Sequence, residues 1–69
     1  MNKRKLIADK IKEARKEAGM TQSDLAKMLY LDRSSISYIE KGSSAIAADK
    51  LGDFSRALNK PIIYFLSDI

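Results

Sequence analysis

Cysteine, histidine and tryptophan are absent from this 69-residue chain, and proline occurs once. Without cysteine there is no disulfide to staple a small fold, and without cysteine or histidine there is no thiolate or imidazole metal site. The same absences remove the usual general base and thiol nucleophile, so no catalytic constellation is expected and no metal or cofactor is implied. Long apolar runs are lacking too. The longest, IIYFL at 62–66, is far short of the ~20 residues that cross a bilayer. The opening MNKRK starts like a secretion signal, but IADKIKEARKEAG places charges where that signal's apolar segment belongs. A cytoplasmic protein without a membrane partner is therefore expected, and the missing cysteines agree with a reducing compartment.

What is present is charge and helical periodicity. Thirteen Lys and Arg against nine Asp and Glu give a formal net charge of +4, which favours an anionic partner. The length allows one domain, 1–69, near the lower limit for an unaided hydrophobic core. Residues 4–18 read as a first helix whose inward stripe is Ile7, Ile11, Ala14 and Ala18. Gly19 can end it in the left-handed region, and Met20 is a core contact beside that turn. Ala47, Leu51, Phe54 and Leu58 mark a later helix. Asn59 is suited to cap it, and Lys60 and Pro61 begin a last short one.

The stretch TQSDLAKMLYLDRSSISYIE, Thr21 to Glu40, organises the rest. Thr21 is an N-cap candidate, and Asp24 three residues on completes a capping box or at least favours the positive end of a helix running to about Leu29. Tyr30 and Leu31 make a tight turn, and Asp32 is an N-cap candidate for a helix starting at Arg33. In that helix Ile36 and Ile39 face inward, which leaves Arg33, Ser34, Ser37, Tyr38 and Lys41 outside. Each of these can donate a hydrogen bond to a base edge or a phosphate, so the face suits a major groove. Arg33 is the leading base-contact candidate, preferably to guanine, with phosphate as its alternative; Ser34, Ser37 and Tyr38 are secondary. Lys41 and Gly42 close the helix.

IKEAR at 11–15, GMTQSDLA at 19–26, SSISYIEKG at 34–42 and LGDFSRALNKPIIYFL at 51–66 resemble, in order and spacing, the phage-repressor and Cro-like (XRE) helix-turn-helix family. The resemblance implies an all-α, compact five-helix lambda-repressor-like fold with the helix-turn-helix at the second and third helices. It implies double-stranded DNA as partner, with Gln22 on a backbone phosphate; the alternative is an exposed helix position with no such role. It also implies an ion pair between Arg15 and Glu40 that orients the recognition helix; two unrelated surface charges are the rival reading. Lys41, Ser43 and Ser44 are further phosphate candidates, although the serines equally suit a compact linker. Two positions depart from the pattern. Tyr30 stands where the family often has glycine, so it bears strain or takes another conformation. Ile46 and Ala47 replace the usual proline and serine, which leaves the fourth helix without its customary entry.

The tail is more apolar than one small helix can hide. Part of Ile62, Ile63, Tyr64, Phe65 and Leu66 closes the core, and the remainder of the segment at about 61–69 is a candidate homodimer interface. The expected function is sequence-specific binding to an inverted-repeat operator as a dimeric transcriptional repressor or dual regulator. The rival readings are a protein-interaction or antitoxin-type component with a regulatory protein partner, and the N-terminal fragment of a larger regulator.

Overall fold

The computed structural model describes residues 3–43 and 46–66. They form five helices and no strand: α1 (Lys3–Glu17), α2 (Gln22–Leu29), α3 (Arg33–Glu40), α4 (Ala48–Leu58) and α5 (Ile62–Leu66). This is the all-α, five-helix helix-turn-helix architecture. None of the described helices is long and apolar enough to cross a membrane.

The first four helices end in the same way. A residue with φ between 56° and 76° follows each helix: Gly19, Tyr30, Gly42 and Asn59. Its N–H donates to the carbonyl three residues back, and the next residue's N–H reaches five residues back. The pairs are Gly19 to Lys16 with Met20 to Arg15, Tyr30 to Lys27 with Leu31 to Ala26, Gly42 to Ile39 with Ser43 to Tyr38, and Asn59 to Arg56 with Lys60 to Ser55. These Schellman bonds satisfy carbonyls that a helix end otherwise leaves orphaned. Tyr30 therefore adopts the left-handed conformation in which glycine is common, and its ring gains no packing there: the residue is 96% exposed.

The core lies where α1, α4 and α5 meet the motif helices. Ile11 and Ala14 of α1, Leu25 and Ala26 of α2 and Ile36 of α3 surround Leu51, Phe54 and Leu58 of α4 and Phe65 of α5. Phe54 and Phe65 are the largest of the fully buried side chains, and each ring supplies roughly 1.5–3 kcal/mol of burial energy. Tyr64 packs edge-on to Phe65, with ring centroids 5.1 Å apart. Three expectations need correction. Ala18 lies beyond the end of α1 and is exposed, while Ala8, fully buried, takes a place on the inner face. Ala47 precedes α4 in an extended conformation and is also exposed, so Ile46 rather than Ala47 packs on the core from that loop. The last helix begins at Ile62, with the Pro61 carbonyl accepting from the Tyr64 N–H at 3.0 Å.

Candidate nucleic-acid interface

α2 is fixed at its start by its own residues. Thr21, extended at φ −81° and ψ 167°, accepts the Asp24 N–H at 3.0 Å, and Asp24 accepts the Thr21 N–H at 3.0 Å. The capping box is complete. The hydrogen bond from the Thr21 backbone, then that with its side chain, holds the Asp24 carboxyl below its ordinary value.

α3 has no such local anchor. Asp32 occupies the N-cap position in an extended conformation, but its side chain makes no capping hydrogen bond; the expected side-chain cap is absent, and only the Asp32 carbonyl accepts, from Ser35 and Ile36. The helix is held from elsewhere. Ile36 is fully buried and Ile39 packs on the core. Glu40 is 5% exposed and meets the 8% exposed Arg15 of α1 in a two-pronged pair, Nε to Oε2 at 2.7 Å and Nη2 to Oε1 at 3.2 Å. The third guanidinium nitrogen, Nη1, donates to the Met20 carbonyl at 2.8 Å. Arg15 thus ties the end of α3 to the turn that leads into α2, with every nitrogen of the fork engaged.

This packing leaves a polar face turned outward. Arg33, Ser34 and Tyr38 are exposed, Ser37 is half-buried between them, and Lys41 follows on the same side. The Lys41 ammonium lies 5.8 Å from the centre of the Tyr38 ring. Ser43 is exposed just beyond Gly42, and Ser44 lies outside the described residues. Gly42 sets the end of this face against α1: a Cβ built there would stand 3.2 Å from the Lys5 Cα.

Gln22 belongs to the same surface through contacts that the sequence did not disclose. Its Nε2 donates to Glu40 Oε1 at 3.1 Å, and its Oε1 accepts from Arg33 Nη1 at 3.3 Å. A continuous polar chain therefore runs from Arg15 through Glu40 and Gln22 to Arg33. The signal for it in the sequence is slight: Gln22 and Arg33 each stand first in their helix, directly after Thr21 and Asp32.

The apolar tail is a separate surface on α5, which packs against α1 and α4. Ile62, Ile63 and Leu66 are exposed, Ile63 at 67%. Tyr64 is half-buried, and the ammonium groups of Lys10 and Lys60 lie 5.1 and 4.9 Å from its ring centre. Phe65, at 1% exposure, is spent on the monomer core and leaves the set of side chains that could meet a second copy. Residues 67–69 of the tail lie outside the described residues.

The sequence profile of a family described as helix-turn-helix (HTH_3) matches residues 11–65. No curated protein matches the chain by sequence. Among solved structures, the wild-type restriction-modification controller protein C.Esp1396I is 32% identical and superposes with a TM-score of 0.85, covering 99% of this chain and 88% of that one. The controller protein C.AhdI from Aeromonas hydrophila is 22% identical with a TM-score of 0.84 over 90% of this chain and 94% of its own. The clp gene regulator ClgR from Corynebacterium glutamicum is 20% identical with a TM-score of 0.90, over 96% and 70% respectively. The latter two likenesses establish the shared fold.

Proposed function

Because the chain belongs to the helix-turn-helix family and carries that family's DNA-binding regulatory domain, we propose that it is a cytoplasmic transcriptional repressor that binds an inverted-repeat operator as a homodimer. Residues 1–69 act as one domain. α3 enters the major groove, where Arg33 reads a guanine and Ser34, Ser37 and Tyr38 complete the contacts to base edges. Lys41, Ser43 and Ser44, which follow α3, hold the phosphate backbone, a role that sets register without carrying sequence information. The observation that carries this reading is the outward polar face of α3, held rigid from behind by Ile36 and by the buried Arg15–Glu40 pair.

Pairing through α5 supports the dimer. Ile62, Ile63 and Leu66 form an exposed apolar surface on a chain otherwise rich in charge, and two copies related by a two-fold axis would cover it. Half-sites about 34 Å apart then match one turn of the duplex. The likeness to the restriction-modification controller protein C.Esp1396I, 32% identical over 99% of this chain, supports a regulator of this kind.

Selection from a random duplex pool, followed by titration at two salt concentrations, tests the proposal. A recovered palindrome and an affinity that falls steeply with salt are expected. Recovery without sequence preference would reject operator reading, and an asymmetric site bound by a single chain would reject the dimer.

A further inference from the structure

We propose that the ring of Tyr38 is a platform that holds the Lys41 ammonium ready for a DNA phosphate. Tyr38 is then a positioning residue, in addition to any contact its hydroxyl makes with a base edge. The inference rests on the reading of Lys41 as a phosphate contact and names what aims that side chain.

Lys41 is the first residue past α3, at φ −82° and ψ −10°, and its N–H donates to the Ser37 carbonyl at 3.1 Å. Its backbone is thus fixed at the helix end. Position 41 follows 38 by three residues, which sets the two side chains on one face, and side chains on a helix lean toward its start. The lysine stem runs back toward Tyr38, and the ammonium stands 5.8 Å from the ring centre, within reach of a cation–π attraction. Among the described residues Lys41 takes part in no ion pair. The carboxylate of its neighbour Glu40 is engaged by Arg15 and Gln22, so the ring is what directs the charge. Tyr38 also orders the next phosphate candidate, because its carbonyl accepts the Ser43 N–H at 3.1 Å.

The chemistry of the tether matters. A carboxylate at position 38 would hold the lysine but would cancel its charge and repel a phosphate. An aromatic face attracts the cation without neutralising it. All three N–H donors of the ammonium can still meet phosphate oxygens, and the tyrosine hydroxyl, at the edge of the ring, is not consumed. An untethered lysine loses rotamer freedom when it is fixed on DNA, and that loss subtracts from binding. The Tyr38 ring removes part of the loss beforehand.

A double-mutant cycle on a random duplex at low salt, where base reading does not contribute, isolates this role. Tyr38→Leu is expected to weaken binding about two- to fivefold, whereas Tyr38→Phe, which keeps the ring, should bind as the native sequence does. Once Lys41 is alanine, Tyr38→Leu should cost nothing further. Tyr38→Gln serves as a second variant without a ring, and unfolding midpoints confirm that each is folded. An equal loss from Tyr38→Phe and Tyr38→Leu would assign the effect to the hydroxyl and overturn the proposal. No loss from Tyr38→Leu, or one that persists undiminished beside Lys41→Ala, would overturn it as well. Lys41→Ala by itself should make the salt slope shallower by about one. An unaltered slope would remove the phosphate role and this inference with it, a failure visible while Tyr38 is intact.

Discussion

α2 and α3 are both eight residues long and end in the same pair of hydrogen bonds, yet they are held by opposite means. α2 is specified locally: Thr21 and Asp24 satisfy each other at its start, and its left-handed terminator, Tyr30, projects into solvent. α3 lacks a side-chain cap at Asp32 and depends on distant partners, Ile36 in the core, Arg15 on Glu40, and Gly42 against α1. The helix that presents the outward polar face is thus the one whose position the rest of the fold decides. That arrangement ties α3 to α1, and it makes the proposed reading face sensitive to residues buried behind it.

The largest break in this contrast is Arg15→Ala. It strands the Glu40 carboxylate in the interior, and a loss of about 3–5 kcal/mol is expected in urea unfolding. Replacing both partners, Arg15→Met with Glu40→Leu, should restore much of that stability while leaving operator preference impaired. Equal recovery of both properties would show that the pair has no part in aiming the face. Gly42→Ala comes next. It forces a Cβ into the left-handed region and to within 3.2 Å of the Lys5 backbone, so a loss of at least about 1–2 kcal/mol is expected. Gly19→Ala meets nothing within 4 Å and should show the conformational part alone, making the difference between the two variants a measure of the α1–α3 contact.

On the α2 side the effects are smaller. Thr21→Ala removes the local cap and should lower stability by about 1 kcal/mol, with operator preference retained. Tyr30→Gly relieves a left-handed backbone that costs a side chain about 1–2 kcal/mol, offset by roughly 0.5–1 kcal/mol of added freedom in the unfolded chain. A net gain of about 0–1.5 kcal/mol is expected, and a clear loss in thermal unfolding would show that the ring does more than its exposure implies.

The subtlest test is pH. Asp24 has a folded pKa below its ordinary value of 3.8, so the folded protein binds its proton less readily than the unfolded chain does. The stabilisation is complete above the unfolded value and is lost as pH falls through the lowered folded one. Between pH 5 and 2 the urea midpoint of the native sequence should decline, and Asp24→Asn should make that decline shallower. An identical decline in both would remove Asp24 from the acid response.

Local features of the sequence determined the helices of the motif, because capping and side-chain spacing act within a few residues. Thr21 with Asp24 marks the start of α2, and Ile36 and Ile39 fix which side of α3 turns inward. Ala18 and Ala47 misled at the edges, since a small apolar residue carries little burial energy and helix ends are set by backbone hydrogen bonds. The tail was legible as surplus apolar surface, but which ring enters the core depends on where α5 meets α1 and α4, and that contact selected Phe65. The site divides in the same way. The polar face of α3 follows from periodicity within one helix, whereas the chain from Arg15 through Glu40 and Gln22 to Arg33 joins three helices. Directional hydrogen bonds between residues far apart in sequence form only when packing brings donor and acceptor within about 3 Å, and tertiary structure alone decides that.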